Sequence, residues 1–534
     1  MRDKPNFLFI ITDQHRADHL GCYGNTVLRT PAIDGIAARG VRFDHFYSSN
    51  PICMPNRASI MTGRMSSLHG VRDNGIPLSL DETTFVELLR AGGYRTALIG
   101  KSHLQNFTGM PPPYPPSFDP DMQAPPGDLR DARHGMRDGP AYDNEQPADW
   151  LAEPLHEVRL PFYGFEHVEL CTDHGDNVRG HYLRWLRDRD PEALKLWGRE
   201  NSRKVPDRSA PQARRPTLPA ELYPTSYVAD RTMAYLEAHA RGGGGEPFFI
   251  QCSFPDPHHP FTPPGKYWDM YSPDSITLPP SFYRPSVDQV PFLRHIHESA
   301  PAGSPGRERG PAFAVTEQEA KVIHALTYGM IGLIDDRIAD VLATLDRLGL
   351  REDTVVIFTS DHGDWLGDHG VVLKGPLHYQ SLIRVPFIWS DPEAPNAGTA
   401  SGEMAGSIDI ARSVLARAGL APCHGMQGQA IGDIVSNNLP SRHDGMIVEQ
   451  TTRQYLPGMD RNVRLNSFVD ARWRLTIWEA TGWGELYDLR EDPFEMCNLW
   501  DDPSHRGIRE ELMLRMIRST IALQDWSPLQ VRAA

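Results

Sequence analysis

The hydrophobic pattern of this chain is one of short, unbroken apolar runs set between helical stretches. Asn6–Thr12 is apolar at every position from Phe7 to Ile11. That run is too continuous for a half-exposed strand and too short for a helix, so it reads as a strand buried on both faces. Val41–Tyr47, Arg95–Gly100, Pro247–Phe254, Thr354–Ser360 and Val385–Trp389 have the same character. Between them, Pro31–Arg39 opens with Pro at the first helical position. Asp81–Ala91 reads as a helix capped by Asp81 or a neighbour and stopped by Gly92-Gly93. Thr316–Leu348 keeps a long amphipathic helical period. Buried strands alternating with helices predict an α/β fold, a mainly parallel sheet flanked by helices. Beyond about residue 430 the period changes. Met446–Glu449, Ser467–Asp470, Trp473–Trp478 and Glu485–Asp488 alternate like antiparallel strands, and Arg506–Leu523 closes as a helix. The chain has 534 residues, and a single core stops growing near ~250–300 residues. Two units are expected: a large α/β domain over 1–430 and a smaller antiparallel α+β unit over 431–534.

Composition adds three points. Gly (45) and Pro (47) together make about 17% of the chain, above the usual ~12%. The excess falls in long interruptions at 105–160, 186–222 and 279–312, which predicts ordered loops framing a site or a subunit contact. The 54 Lys+Arg against 69 Asp+Glu give a net charge of −15. That balance argues against nucleic acid or an anionic membrane as partner, and any bound anion must sit in a local positive pocket. The apolar part of the N-terminal segment is too short for a secretion signal, and no stretch approaches a membrane span, so a cytoplasmic protein is expected. The six Cys then read as free thiols. The long loops and C-terminal extension also predict a homo-oligomer.

In an open parallel sheet, ligands bind beyond the carboxyl ends of the strands. The predicted strands end in Asp13-Gln14-His15, in Lys101-Ser102-His103, in Pro257-His258-His259-Pro260 and in Asp361-His362-Gly363. Singly, Asp13 reads as a helix cap, His258 as a loop histidine and Asp361 as a turn former. Together, Asp13, Gln14, Asp361 and His362 offer three oxygens and one nitrogen, a set that suits a divalent cation of intermediate hardness. Cys53 precedes a helical stretch beginning at Pro55, with Arg57 close by. A lone Cys before a Pro usually reads as a buried small residue, but a helix N-terminus and an arginine both favour developing negative charge, so Cys53 also reads as a candidate nucleophile. Asp335-Asp336 read as a solvated helix face or a local pair, and the other cysteines as buried structural thiols.

These residues resemble the sulfatase family of the alkaline-phosphatase-like superfamily. The family signature C-x-P-x-R followed by TGR is matched by Cys53-Met-Pro55-Asn-Arg57 and Thr62-Gly63-Arg64. Gly100-Lys101-Ser-His103, Pro257-His258-His-Pro260, the block from Ser360 to Lys374-Gly375, and Glu485-Leu-Tyr-Asp488-Leu with its later Asp492-Pro493 and Asn498-Leu match further family segments, so the resemblance covers most of the chain. It implies an alkaline-phosphatase-like fold and hydrolysis of a small-molecule sulfate ester. It implies that a formylglycine-generating enzyme converts Cys53 to Cα-formylglycine, whose hydrate attacks sulfur. One divalent metal would be held by Asp13, Gln14, Asp361, His362 and position 53. Arg57 and Lys101 would orient the hydrated aldehyde, His258 would protonate or stabilise the leaving oxygen, Lys374 would bind the sulfate oxygens, and His103 would take the proton that expels sulfate.

The chain also departs from the common pattern. Many sulfatases have Asp where Gln14 stands and Asn where His362 stands. This chain's pair is similar to the phosphonate monoester hydrolase branch, as is Asn74, which could donate a hydrogen bond to a substrate oxygen. The amide and imidazole favour Mn²⁺ over Ca²⁺. Phosphonate hydrolases, however, place Tyr and Thr where Lys101 and His103 stand. The expectation is an arylsulfatase-type enzyme on a phosphonate-hydrolase-like frame, able to turn over phosphonate and phosphate esters in addition. The alternatives are a phosphonate monoester or phosphodiester hydrolase with the same nucleophile, and a non-catalytic metal-binding protein with an unmodified Cys53.

Overall fold

A computed structural model describes residues 4–111, 118–132, 137–152, 156–243, 245–437, 439–452, 463–479 and 481–532. Its strands in chain order are β1 (Asn6–Thr12), β2 (Val41–Tyr47), β3 (Arg95–Gly100), β4 (His167–Thr172), β5 (Arg179–Gly180), β6 (Phe248–Ser253), β7 (Ala312–Ala314), β8 (Thr354–Ser360), β9 (Val371–Leu373), β10 (Phe387–Ser390), β11 (Thr399–Gly406), β12 (Met446–Thr452), β13 (Val463–Val469), β14 (Trp473–Trp478) and β15 (Gly484–Asp488). A nine-stranded sheet runs β11-β2-β10-β8-β1-β6-β3-β4-β5. Its middle, from β8 through β1, β6 and β3 to β4, is parallel throughout. β10 runs antiparallel to both its neighbours. The expected mixed, mainly parallel α/β architecture is what the chain adopts.

Alternation along β1 explains the layering. Phe7, Phe9 and Ile11 face one layer, built from the helices Cys53–Thr62, Phe85–Ala91 and Asp409–Arg417. Leu8 and Ile10 face the other, built from Pro31–Ala38, His181–Arg189, Pro224–Arg241 and Glu317–Arg347. A central strand buried on both faces needs apolar side chains at odd and even positions alike, hence the unbroken run. Each such Phe or Ile contributes about 1.5–3 kcal/mol by burial.

Register decides where the site lies. Thr12 pairs with Ser360, Ile11 with Ser253, and Gly100 with Ser253. The carboxyl ends of β1, β8, β6 and β3 therefore finish at one level. Gly100 makes the close approach possible: its φ is 107°, and a Cβ there would lie 1.9 Å from the Ser253 carbonyl oxygen.

The smaller sheet runs β12-β13-β14-β15, antiparallel throughout. One face (Ile447, Phe468, Leu475, Leu486) covers the helix Arg506–Ala522 through Leu512 and Met516. The other (Val448, Leu465, Tyr487) packs on Trp365, Val371 and Tyr379, the segment that follows β8. A buried ion network ties the two together. Arg474 is paired with Glu495 and with Glu485 (3.1 Å), and Glu495 accepts the Gln380 N–H (2.7 Å).

Several expectations are corrected. The helix placed at Asp81 begins at Phe85, because Thr84 and Glu87 form a reciprocal capping box that Asp81 cannot make. The helix placed at Pro55 begins at Cys53. Asp335 is not a solvated face: it is buried and accepts the N–H groups of Ala32 (3.1 Å) and Ile33 (2.9 Å), capping a neighbouring helix. Cys497 is exposed, and Cys22 and Cys423 are half-buried. β4 and β11 had no counterpart in the hydrophobic pattern. Within the long interruptions, residues 112–117, 133–136 and 153–155 lie outside the described residues.

Removing Arg474 would leave two buried carboxylates without their counter-charge. We expect Arg474→Met to cost about 3–5 kcal/mol of stability. A denaturant midpoint unchanged from wild type would contradict this.

Candidate active site

Cys53 is the first residue of a helix whose ten residues are all buried. The helix N-terminus is fixed from outside: Asn74 accepts the Met54 N–H (3.1 Å), and Asn56 bonds the Ser49 N–H (3.0 Å) and Ser407 (3.0 Å). The helix ends at Gly63 in the left-handed region, where a Cβ would meet Met426 at 2.6 Å. Arg64 then anchors the chain on Glu82 (2.9 Å) and Asp525 (2.6 Å). The Thr62-Gly63-Arg64 part of the signature is thus a helix stop and a surface anchor.

The strand ends converge on Cys53. Its Sγ lies 3.1 Å from His362 Nε2, 2.9 Å from Lys374 Nζ and 3.7 Å from Asp13 Oδ1. Lys374 Nζ also lies 3.0 Å from His258 Nε2 and 3.2 Å from Gln14 Oε1. Arg57 donates to Asp361 (2.7 Å), to Asp13 (3.4 Å) and to the Lys101 carbonyl (3.1 Å). Lys101 pairs with Asp13, both side chains fully buried. The structure therefore brings together Asp13, Gln14, Cys53, Arg57, Lys101, His258, Asp361, His362 and Lys374. Asn74 sits exposed beside the helix start. His103 is buried a step away, with Nδ1 unpartnered.

The charges shape one another. Burial alone would raise the Asp13 pKa, but Lys101, Arg57, His362 and Lys374 hold it well below the usual carboxylate range. Burial and Asp13 push the Cys53 thiol up, but Lys374, Lys101 and His362 pull it below an ordinary thiol. Burial and nearby cations keep His258, His103 and His259 well below the usual imidazole range. His258 Nδ1 donates to the His259 carbonyl (2.5 Å), which leaves Nε2 as an acceptor aimed at Lys374.

Backbone strain accompanies this arrangement. Gln14 and His103 occupy left-handed conformations, with φ of 59° and 57°. Such positions cost on the order of 1–3 kcal/mol each and cluster where geometry serves function.

The donor set fits a divalent cation. One ligand atom each from Asp13, Cys53, Asp361 and His362 lies within 4.8 Å of the others, all four residues being buried. Gln14 Oε1 faces the same volume through Lys374. Two carboxylates, an imidazole and an amide oxygen form a centre of intermediate hardness.

Four neighbours escaped the sequence reading. Asp364 accepts from the Gln14 amide, which also contacts His259 Nδ1 (3.1 Å). Glu145, from the 105–160 interruption, accepts the N–H groups of His103 (2.9 Å), Leu104 (3.1 Å) and Gln105 (2.9 Å), and Phe107 stacks on His103 at 3.8 Å. That interruption thus grips the strand end bearing Lys101 and His103. His174 follows β4 and reaches Lys101 Nζ (2.6 Å). Had β4 been recognised, its end at Thr172-Asp173-His174-Gly175 would have joined the same series of polar strand ends.

Comparison with known proteins agrees with this geometry. The profile of the family "Sulfatase" matches residues 5–420, and the profile "N-sulphoglucosamine sulphohydrolase, C-terminal" matches 367–521. The chain belongs to the sulfatase family. It is 26% identical to an arylsulfatase of Clostridium perfringens (94% of this chain, 92% of the relative). It is 27% identical to a multifunctional alkaline phosphatase superfamily protein of Trinickia caryophylli (95% and 93%). Its fold superposes on the crystal structure of a phosphonate monoester hydrolase of Agrobacterium radiobacter with a TM-score of 0.76 at 24% identity, covering 98% and 96% of the two chains. No described helix is long and apolar enough to cross a membrane.

Titration of chelator-stripped protein should reveal one tight divalent site per chain, with Mn²⁺ bound more tightly than Ca²⁺. Asp361→Asn should weaken it by on the order of 100-fold. A clear preference for Ca²⁺ would contradict the reading of the donor set.

Proposed function

We propose that this protein is a metal-dependent sulfuric ester hydrolase of arylsulfatase type, acting through position 53 after conversion of Cys53 to formylglycine. The observation that carries the proposal is the enclosure of Cys53 Sγ. It sits at a helix N-terminus, touched by Lys374, His362 and Asp13, with Lys101 and His258 within one further contact. The matured side chain would supply the oxygen nucleophile. A divalent ion held by Asp13, Gln14, Asp361, His362 and position 53 would act as a Lewis acid on a sulfuryl oxygen.

The chain's own residues supply the rest. Lys374 lies between position 53 and His258, where it binds ester oxygens and neutralises the charge that builds on them. Arg57 holds Asp361 and Asp13 in place and, with Lys101, keeps the pocket positive despite the −15 net charge. His258 waits as a neutral acceptor. An anionic ester beside it raises its affinity for a proton, and the charged imidazole can then pass that proton to the leaving oxygen. His103, kept neutral by burial and by Lys101, would be the base that removes a proton from the second oxygen at position 53.

Lys101 and His103 favour sulfate esters. A second reading, a phosphonate monoester or phosphodiester hydrolase, is favoured by Gln14 and His362 in the donor set and by Asn74 beside the helix start. Matched aryl sulfate and aryl phosphonate esters separate the two. We expect higher kcat/KM on the sulfate, with measurable turnover of the phosphonate, and no turnover by a folded Cys53→Ala variant. Much more efficient phosphonate hydrolysis would overturn the sulfatase reading. Substantial activity in Cys53→Ala would overturn the assignment of the nucleophile.

A further inference from the structure

His174 lies outside every motif that links this chain to the sulfatase family, yet it is fully inside the site. It follows β4, with Asp173 before it in the left-handed region (φ 69°) and Gly175 after it (φ 56°), a turn that aims the ring inward. The side chain is only 13% exposed. Its Nε2 lies 2.6 Å from Lys101 Nζ, and its ring stacks on His258 at 3.6 Å between centroids and 12° between planes. Phe107 meets the ring edge-on at 5.3 Å.

The chemistry of these contacts is specific. An ammonium can only donate, so His174 Nε2 is the acceptor and the ring proton sits on Nδ1. Lys101 is then held between the Asp13 carboxylate and the His174 nitrogen. A lysine side chain has four rotatable bonds, and one anionic partner leaves its head free to swing about that partner. A second acceptor, here 4.0 Å from the same Asp13 oxygen, holds the ammonium by another of its N–H bonds and fixes it at one point. The stacked face of the same imidazole fixes the plane of His258, whose Nδ1 is already tied to a carbonyl.

Asp13, His174 and His258 also present ligand atoms within 4.8 Å of one another, the arrangement a second cation would use. Lys101 Nζ bonds both Asp13 and His174, so the ammonium takes the role that such a cation would have.

We propose that His174 is a positioning residue. Its Nε2 anchors the Lys101 ammonium against Asp13, and its ring aligns His258 beside the nucleophile. The proposal rests on the functional reading above only for what Lys101 and His258 do.

Two variants divide the roles. His174→Phe keeps a ring to stack and loses the acceptor, whereas His174→Gln keeps an acceptor at the same reach and loses the ring. With whichever aryl sulfate or phosphonate the wild type turns over, His174→Phe should lower kcat by about 10–100-fold with little change in KM, as misplacement of a catalytic group does. His174→Gln should recover most of that loss with aryl leaving groups. In a Lys101→Met background, His174→Phe should add almost nothing, because the two act as one unit. Full kcat in His174→Phe, or independent, multiplying losses in the double variant, would overturn the proposal.

A second readout needs no turnover. In ¹⁵N-histidine-labelled protein, the His174 Nε2 signal, identified by its absence in His174→Gln, should shift in Lys101→Met. An unmoved signal would overturn the anchor whatever ester the enzyme prefers. Mn²⁺ stoichiometry should remain one per chain in wild type and His174→Gln alike. A second equivalent in wild type that disappears in His174→Gln would assign a metal site in place of the anchor. Absence of sulfatase activity together with a shifted signal would defeat the functional proposal and leave the anchor standing.

Discussion

The structure depends on one electrostatic constraint: Asp13 is fully buried and must remain charged. A carboxylate taken out of water without compensation costs several kcal/mol. Here Lys101 and Arg57 bond it directly, and His362 and Lys374 stand close enough to lower its pKa. Each of these comes from a different part of the chain. Keeping Asp13 charged therefore requires β1, β3, β8, the helix at Cys53 and the loop carrying Lys374 to meet at one point. The parallel register of β1, β6, β3 and β8 brings the strands level, and the C-terminal sheet supports the last piece, packing on Trp365, Val371 and Tyr379 around the loop that ends in Lys374.

That constraint also explains how a chain with a net charge of −15 can present a pocket lined by cationic side chains. Arg57, Lys101 and Lys374 are concentrated where water is excluded and their fields are least screened. The surface charge lies elsewhere and is screened within about 8–10 Å at ordinary salt. The thiol at position 53 shows the outcome locally: burial and Asp13 would raise its pKa, yet the surrounding cations prevail.

Much of this was legible in the sequence because the site is made of strand ends. A buried strand announces itself by an unbroken apolar run, and the polar residues that stop the run are the ones beyond its carboxyl end. Asp13, Lys101, His258 and Asp361 were all found that way. His174 was not, because β4 (His167–Thr172) carries His167 and Glu169 among its apolar residues. Glu169 is buried against Arg231 (2.6 Å) and Tyr227 (3.2 Å), a compensation visible only in three dimensions. β11 (Thr399–Gly406) was missed for a related reason: it is an edge strand, mostly exposed at its start, and has no apolar run to read. The capping box at Thr84 and Glu87 was legible by its spacing but was passed over for the acidic Asp81. Glu145 carries no signal at all, since its partners are backbone N–H groups brought to it by a long excursion of the chain.

The proposed function is that of a buried, positively charged pocket built around a modified side chain at position 53. Its most direct measurement is the mass of the tryptic peptide containing residue 53, taken alongside turnover, in protein produced with and without a formylglycine-generating enzyme. The expected peptide has lost sulfur and gained an aldehyde, with activity per chain proportional to the converted fraction. Full activity in protein whose position 53 is entirely thiol would contradict it.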